Sequence, residues 1–387
     1  MEKQIGLIGV GNCGSQVASL FYKRYPDLAD CIYINTSEAD LSMVEGNLKF
    51  KLGEEEEIEG SGKNRAKMKV YLQNEIERIL TDETFSSIIE NKKYVFIISS
   101  TAGGTGSGAS PILLDVLRNC FADVHFILVG VLPQLQASLM EQGNTLEFLN
   151  ELYQVLGENC TYMIYDNETT SNRSPTESLE IVNDAIVEDI RILTGIDNYP
   201  TPYDSIDEAD MESIITTSGR MIITRIKKGI TEKAMEDSDI GEMIVKAIKS
   251  SCHTETDRNK KVTRWGIITY FTEQVNKLYT SDLEKLHDFI GTPIERFNHH
   301  AINDKNENLN FLYLIASGLS PINDRVKRIT DRVDELKEAL AKDESSKYIL
   351  SGEAVSYDAT EERRKEQRRK NSEKEIRPKD LFKKFMK

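Results

Sequence analysis

Thr101-Ala102-Gly103-Gly104-Thr105-Gly106-Ser107-Gly108 follows the apolar run Tyr94-Val95-Phe96-Ile97-Ile98-Ser99 and opens a helix-forming stretch that starts near Ser107. Four glycines within six residues let backbone N–H groups turn inward around an anion, and Thr105 and Ser107 add hydroxyl donors. The positive end of the following helix points at the same anion, so the segment reads as a phosphate cradle. It lacks the Lys-Ser/Thr ending of a Walker A loop, which disfavours the common P-loop families. A merely flexible glycine turn would not explain why the loop sits at a strand's carboxyl end and begins a helix.

Working outward, Gly9-Val10-Gly11-Asn12-Cys13-Gly14-Ser15-Gln16 repeats the arrangement after a first strand over Gln4 to Val10. By spacing alone it could pass for a dinucleotide fingerprint, but the second strand, Cys31 to Asn35, ends in Asn35-Thr36-Ser37 rather than the acid that a ribose would need. Further strands are predicted over Tyr94 to Ser99, His125 to Leu132 and Tyr162 to Tyr165, with helices starting near Gly14, Asn64, Ser107, Ser138 and Ser178. This alternation predicts an α/β fold with a Rossmann-type parallel sheet and ligands at the strands' carboxyl ends.

A long helix over Glu177 to Leu193 carries one apolar face. After it come a short helix near Met211 to Thr217 and strands over Arg220 to Ile226, Trp265 to Thr272 and Phe311 to Ser317, which read as a smaller α/β domain with a mixed sheet. A charged amphipathic helix follows. The predicted organisation is a nucleotide domain at 1–176, a central connecting helix and linker at 177–204, a second domain at 205–320, a long C-terminal helix at 321–342 and a flexible basic tail at 343–387.

With 387 residues and 39% hydrophobic content, the chain has room for two domains and a sizeable core. It has no apolar run long enough for a membrane span, and Met1-Glu2-Lys3-Gln4 leads directly into the first strand, which predicts a cytoplasmic chain without a secretory leader. Five scattered cysteines with no CxxC pair argue against disulfides and structural zinc, and the five histidines read as surface or loop groups. The net charge of −15 is uneven: residues 363–387 hold 12 Lys/Arg against 4 Asp/Glu, leaving residues 1–362 at −23. An acidic body repels nucleic acid and anionic lipid, so any such contact is expected at the tail or through a partner.

At this point a resemblance becomes specific. Gly11-Asn12-Cys13-Gly14-Ser15-Gln16 resembles the first nucleotide loop of the tubulin/FtsZ superfamily, and Gly103 to Gly108 its signature glycine loop. Gly60-Ser61-Gly62-Lys63-Asn64-Arg65-Ala66 is similar to the family's loop over the γ-phosphate. The three occur in the family's order and spacing. The resemblance implies a GTP/GDP site that includes Gly11, Asn12, Cys13, Gln16, Asn35, Gly62, Lys63, Asn64, Thr101, Gly103, Gly104, Thr105, Gly106 and Ser107. Glu141 falls in the family's ribose-contacting region, and Asn183, in Val182-Asn183-Asp184-Ala185, where the family reads the guanine edge. Mg²⁺ between the phosphates is implied, with no protein ligand named.

Tyr203-Asp204-Ser205-Ile206-Asp207-Glu208-Ala209-Asp210-Met211 resembles the family's synergy loop, which projects into the neighbouring subunit's nucleotide; Ser205 stands where an Asn is expected. Asp207 and Asp210 are thereby implied as catalytic in trans, although the same acids would serve simply as a helix N-cap. The basic tail and long final helix are most similar to the plasmid- and phage-borne TubZ branch. That likeness implies head-to-tail filaments and capture of a small TubR-like DNA-binding adaptor by the tail, with DNA contacted indirectly and no membrane. The alternatives are a phage DNA-positioning or FtsZ-like division filament and, outside the superfamily, a dinucleotide-dependent oxidoreductase.

Overall fold

The computed structural model of the protein describes residues 4–46, 48–54, 58–155, 160–194, 201, 205–227, 230, 240–254, 261–272, 280–303 and 310–344. The tail beyond residue 344 and the Tyr203-Asp204 pair lie outside the described residues.

The apolar runs of the first half become β1 (Ile5–Val10), β2 (Ala29–Asn35), β4 (Tyr94–Ser100), β5 (His125–Leu132) and β6 (Thr161–Asp166), with a short β3 (Leu48–Lys51) at the edge. All pair in parallel, in the order β3-β2-β1-β4-β5-β6. Parallel strands between two helical layers are buried on both faces, which is why they read as continuous apolar runs. Ile5 and Leu7 face a core beneath α1 (Gly11–Arg24) and α7 (Pro175–Ile192). Ile8 and Val10 face the opposite core, beneath α3 (Arg65–Thr81), α4 (Glu83–Glu90), α5 (Thr105–Cys120) and α6 (Leu139–Val155).

The same sheet continues through β7 (Gly219–Ile226), β10 (Phe311–Leu319), β8 (Arg264–Phe271) and β9 (Glu295–Ile302). Strand β7 joins β6 through only Thr161↔Gly219 and Tyr162↔Arg220; β10 runs antiparallel to both neighbours, while β8 and β9 are parallel. Beyond the short β6–β7 pairing, His253 fills the gap. Its Nδ1–H donates to Ile164 O at 3.2 Å, and Nε2 accepts from the Ile223 N–H at 3.3 Å. Surface histidines are the expectation from sequence; His253 and His299 are instead only 4% exposed, because imidazole can satisfy backbone groups where a ladder is interrupted.

Helix α7 is launched by a capping box, Ser174 with Glu177, and a proline in its first turn. Its Val182, Ile186 and Ile190 share one core with Leu7 on one side and with Ile223, Ile268 and Ile315 on the other. The helix therefore covers both halves of the sheet at once. Two smaller helices, α9 (Ile240–Lys249) and α10 (Thr280–Ile290), cover the other face of the second half.

The last helix, α11 (Asn323–Glu344), returns to the first half, where Ile322, Ile329 and Val333 are buried. Arg325 there is buried against Asp166, with Nε–Oδ2 at 2.7 Å, and donates from Nη2 to Pro133 O at 2.6 Å. Among the described residues no helix is long and apolar enough to cross a membrane.

Candidate functional site: a phosphate-binding cavity

At the carboxyl ends of β1, β2 and β4 a cavity of about 430 Å³ opens. Its floor consists of the β1–α1 and β4–α5 turns: Gly11, Asn12 and Cys13 on one side, Gly103, Gly104, Thr105 and Gly106 on the other. Both helices begin without a side-chain cap and without an acid in the first turn. By contrast, α4, α7 and the short α8 (Glu208–Ile215) are each capped by a Ser or Asp side chain and open with an acid. Two uncapped N-termini converging on one cavity leave free N–H donors and positive dipole ends, an arrangement that suits an anion.

The glycines are needed for different reasons. Gly11 has φ +69, and a Cβ there would lie 3.0 Å from Gly106 N, so the two turns pack backbone to backbone. A Cβ on Gly104 would come within 2.6 Å of Ser61 Cβ and 2.9 Å of Asn64 N, in the segment that arches over the loop. At Gly103 a Cβ would meet nothing within 4 Å.

The arch is Gly60-Ser61-Gly62-Lys63, where Gly60, Gly62 and Lys63 all adopt positive φ, 59° for Lys63. It is anchored on every side. Gly60 N donates to Thr36 O at 3.2 Å. Buried Arg65 donates to Ser107 O from Nε and Nη2 and pairs with Glu151 at 2.6 Å and Glu147 at 3.0 Å. Lys63 Nζ meets Glu141 Oε1 at 2.8 Å, joining two members of the cavity wall. Burial works to raise the Glu141 pKa, but hydrogen bonds from Lys63 and Ser138 outweigh it and hold the carboxyl below its ordinary range. For Cys13, burial pushes the thiol up to about 12, so it lines the cavity as a neutral group.

Thr36 and Thr105 share a buried 2.9 Å hydrogen bond between hydroxyls. Asp40 also lines the wall; its carboxylate accepts from Asn35 Nδ2 at 3.1 Å. Among the described residues no group of three or more His, Cys, Asp or Glu would hold a metal alone. A divalent ion entering with a phosphate chain would bring its own oxygen ligands and meet Asp40 there, which is compatible with Mg²⁺.

This geometry has a counterpart in known proteins. Residues 4–172 match the model of the Tubulin/FtsZ family GTPase domain. The matched residues, which hold the whole cavity, are thus similar to a tubulin/FtsZ-type GTPase domain. The chain is 25% identical to the tubulin-like protein TubZ of Clostridium botulinum C phage over 399 aligned residues, covering 100% of both chains. The crystal structure of the Clostridium botulinum phage c-st TubZ superposes with a TM-score of 0.70 at 20% identity, over 88% of this chain and 100% of that one. A GTPγS-form protofilament of TubZ from Bacillus thuringiensis serovar israelensis gives 0.70 at 15% identity, over 89% and 94%. The fold is thus the tubulin/FtsZ fold.

Of the residues that the tubulin/FtsZ resemblance implicates, Gly11, Asn12, Cys13, Asn35, Gly62, Lys63, Gly103, Gly104, Thr105, Gly106 and Glu141 line the cavity together. Four others sit behind the wall. Gln16 Nε2 donates to Asn12 Oδ1 at 3.1 Å; Asn64 caps α3; Thr101 bonds Val131 O and Thr145; Ser107 Oγ donates to Gly103 O. Asn183 is half-buried on α7 and outside the cavity wall, beside Asp184, which pairs with Arg24 in the last turn of α1. Thr36, Asp40 and Ser61 line the cavity although residue-type reasoning did not single them out; their position beside Asn35 and Gly62 was the available signal.

Asp207 and Asp210 lie elsewhere. They form a reciprocal cap on α8: Asp207 Oδ1 accepts from Asp210 N at 2.8 Å and Asp210 Oδ2 from Asp207 N at 3.3 Å. The segment is fixed by Ile206 N, which donates to His299 Nδ1. Lys93, just before β4, pairs with Glu208 at 2.8 Å and Glu212 at 2.9 Å. Asp207 thus shares a small cleft with Gln4 and Tyr94 at the amino ends of β1 and β4. At about 3.3 Å per residue, these strands separate it from the phosphate cavity by roughly 20 Å.

Proposed function

We propose that this chain is a GTP-hydrolysing, filament-forming protein whose active site is completed when one subunit docks head-to-tail on the next. One geometric relation supports this reading above all: the phosphate cavity and the Asp207–Asp210 cap stand at opposite ends of the same parallel strands. Carboxylates roughly 20 Å from their own chain's cavity can orient a water on a phosphate only in another copy.

In the assembled pair, the glycine loops and the two helix N-termini hold the phosphates, and Lys63 adds a positive charge at the rim. Mg²⁺, when bound between the phosphates, would neutralise charge there, with Asp40 the nearby acid. Exposed Asp207 and partly exposed Asp210 would orient and accept a proton from the attacking water. Their carboxylates are already aimed by the reciprocal cap, so no new order is required of them at docking.

The −23 body and +8 tail support a division of labour in which filaments repel DNA and the tail recruits a small DNA-binding adaptor for plasmid or phage segregation in the cytoplasm. Dilution tests the core of the reading. Hydrolysis per molecule should fall steeply as the protein is diluted to demonstrated monomers; a constant rate per molecule would refute activation in trans. Negative-stain microscopy with GTP and a slowly hydrolysed analogue should show filaments that persist with the analogue.

A further inference from the structure

The segment arching over the glycine loop is held from the side by one neutral amide. Asn144, on the second turn of α6 and 9% exposed, directs its side-chain nitrogen to three backbone carbonyls. They are Lys63 O at 2.9 Å, Ala102 O at 3.0 Å and Gly103 O at 3.3 Å. Carbonyls only accept, so the atom they surround must be the donor end of the amide. Two N–H groups thus serve three acceptors: one on the covering segment and two on the phosphate loop. Other links across this junction are the ion pair of Lys63 Nζ with Glu141 at 2.8 Å, partly exposed, and contacts at the segment's flanks, where Thr36 meets Gly60 and Arg65 lies beyond its end.

We infer that Asn144 is a positioning residue that keeps the covering segment closed over the phosphate loop and thereby governs retention of the terminal phosphate of a bound nucleoside triphosphate. The inference rests on the nucleotide reading of the cavity. Its chemistry is simple: with Lys63 O released, Gly62 and Lys63, both at positive φ, lose the contact that holds them in a conformation disfavoured for a non-glycine residue. Lys63 Nζ is then held at the cavity rim by its partly exposed ion pair with Glu141, a weak tether beside the place a terminal phosphate would take. A diphosphate, which does not extend under the segment, depends on it less.

Two variants of the full chain test this. Asn144→Ala removes the donor, and Asn144→Asp replaces it with an oxygen facing three carbonyl oxygens. The carbonyl released is the one trypsin attacks at the Lys63–Asn64 bond, so cleavage there should become about tenfold faster in both variants, with other cleavage sites and the thermal midpoint little changed. Release of a fluorescent GTP analogue should likewise accelerate about tenfold, and of its GDP counterpart less than about threefold. Should either variant fail to fold, Asn144→Gln displaces the donor by one methylene and is expected to act in the same direction. Unchanged GTP release, or equal acceleration of both nucleotides, overturns the inference, as does unchanged cleavage at Lys63. Absence of GTP binding by the wild-type chain overturns the proposed function and this inference together, whereas normal binding with equal release rates overturns this inference alone.

Discussion

Asp207 and Asp210 serve two purposes that a single substitution must separate. As caps they satisfy free N–H groups of α8, and alanine there would cost about 1 kcal/mol through the helix alone. Asparagine keeps the accepting oxygen while removing the negative charge. Asp207→Asn and Asp210→Asn should therefore retain GTP affinity and thermal stability, yet lower hydrolysis by about two orders of magnitude and leave long-lived filaments. Loss of GTP binding, measured by titration, would show that these acids support the fold rather than the chemistry. The glycine loop offers a second contrast. Gly104→Val must collide with Ser61 and Asn64 of the covering segment even without a ligand, so it should disturb both stability and GTP binding. Gly103→Ala meets nothing in the protein, so its melting temperature should stay near wild type while GTP affinity falls; unchanged affinity would mean that no phosphate lies against Gly103.

Elements at the pole opposite the cavity carry a pH-sensitive seam. His125 opens β5, packs edge-on against Tyr94 at 6.4 Å and shares a 3.2 Å hydrogen bond with Thr161 at the start of β6. Burial, aided by the nearby Arg118, lowers its pKa to about 4, so the folded chain keeps it neutral where an unfolded chain would protonate it. The unfolded state then binds more protons between the ordinary value near 6.5 and about 4, and stability falls as the pH drops through that window. His125→Gln should flatten the thermal midpoint's dependence on pH from 7 to 4; an unaltered slope would assign the acid sensitivity to other groups. Glu188, held down to about 2 against burial by bonds from Lys227 and Tyr25, contributes its own loss only at lower pH. The two seams sit at different joints: His125 where β4, β5 and β6 begin, Glu188 where α7 meets α1 and β7.

At the level of the whole molecule, one sheet runs from the nucleotide cavity to β9, and α7 packs on both halves through a common core. A change at the cavity and a change at α8 are therefore linked by a continuous packed layer. The tail stands apart from this layer in charge. Deleting residues 363–387 should spare GTP-dependent polymerisation and abolish capture of a DNA-binding adaptor; a truncated chain that still retains adaptor and DNA in a pull-down would refute the tail's role.

The local physics of the chain was legible in its residues: glycine spacing after apolar runs announced the two turns of the cavity, alternating periodicities announced the parallel sheet, and Asp207-x-x-Asp210 announced a helix start. These signals act within a few residues, through backbone freedom, side-chain periodicity and capping. What needed the folded chain acts across long separations. Asn144 reaches Lys63 and Ala102, Arg325 is buried on Asp166, His253 fills the gap between β6 and β7, and the caps of α8 lie far from the glycine loops only because the strands between them are parallel. No residue type or spacing carries such information, since each depends on which segments the cores bring together.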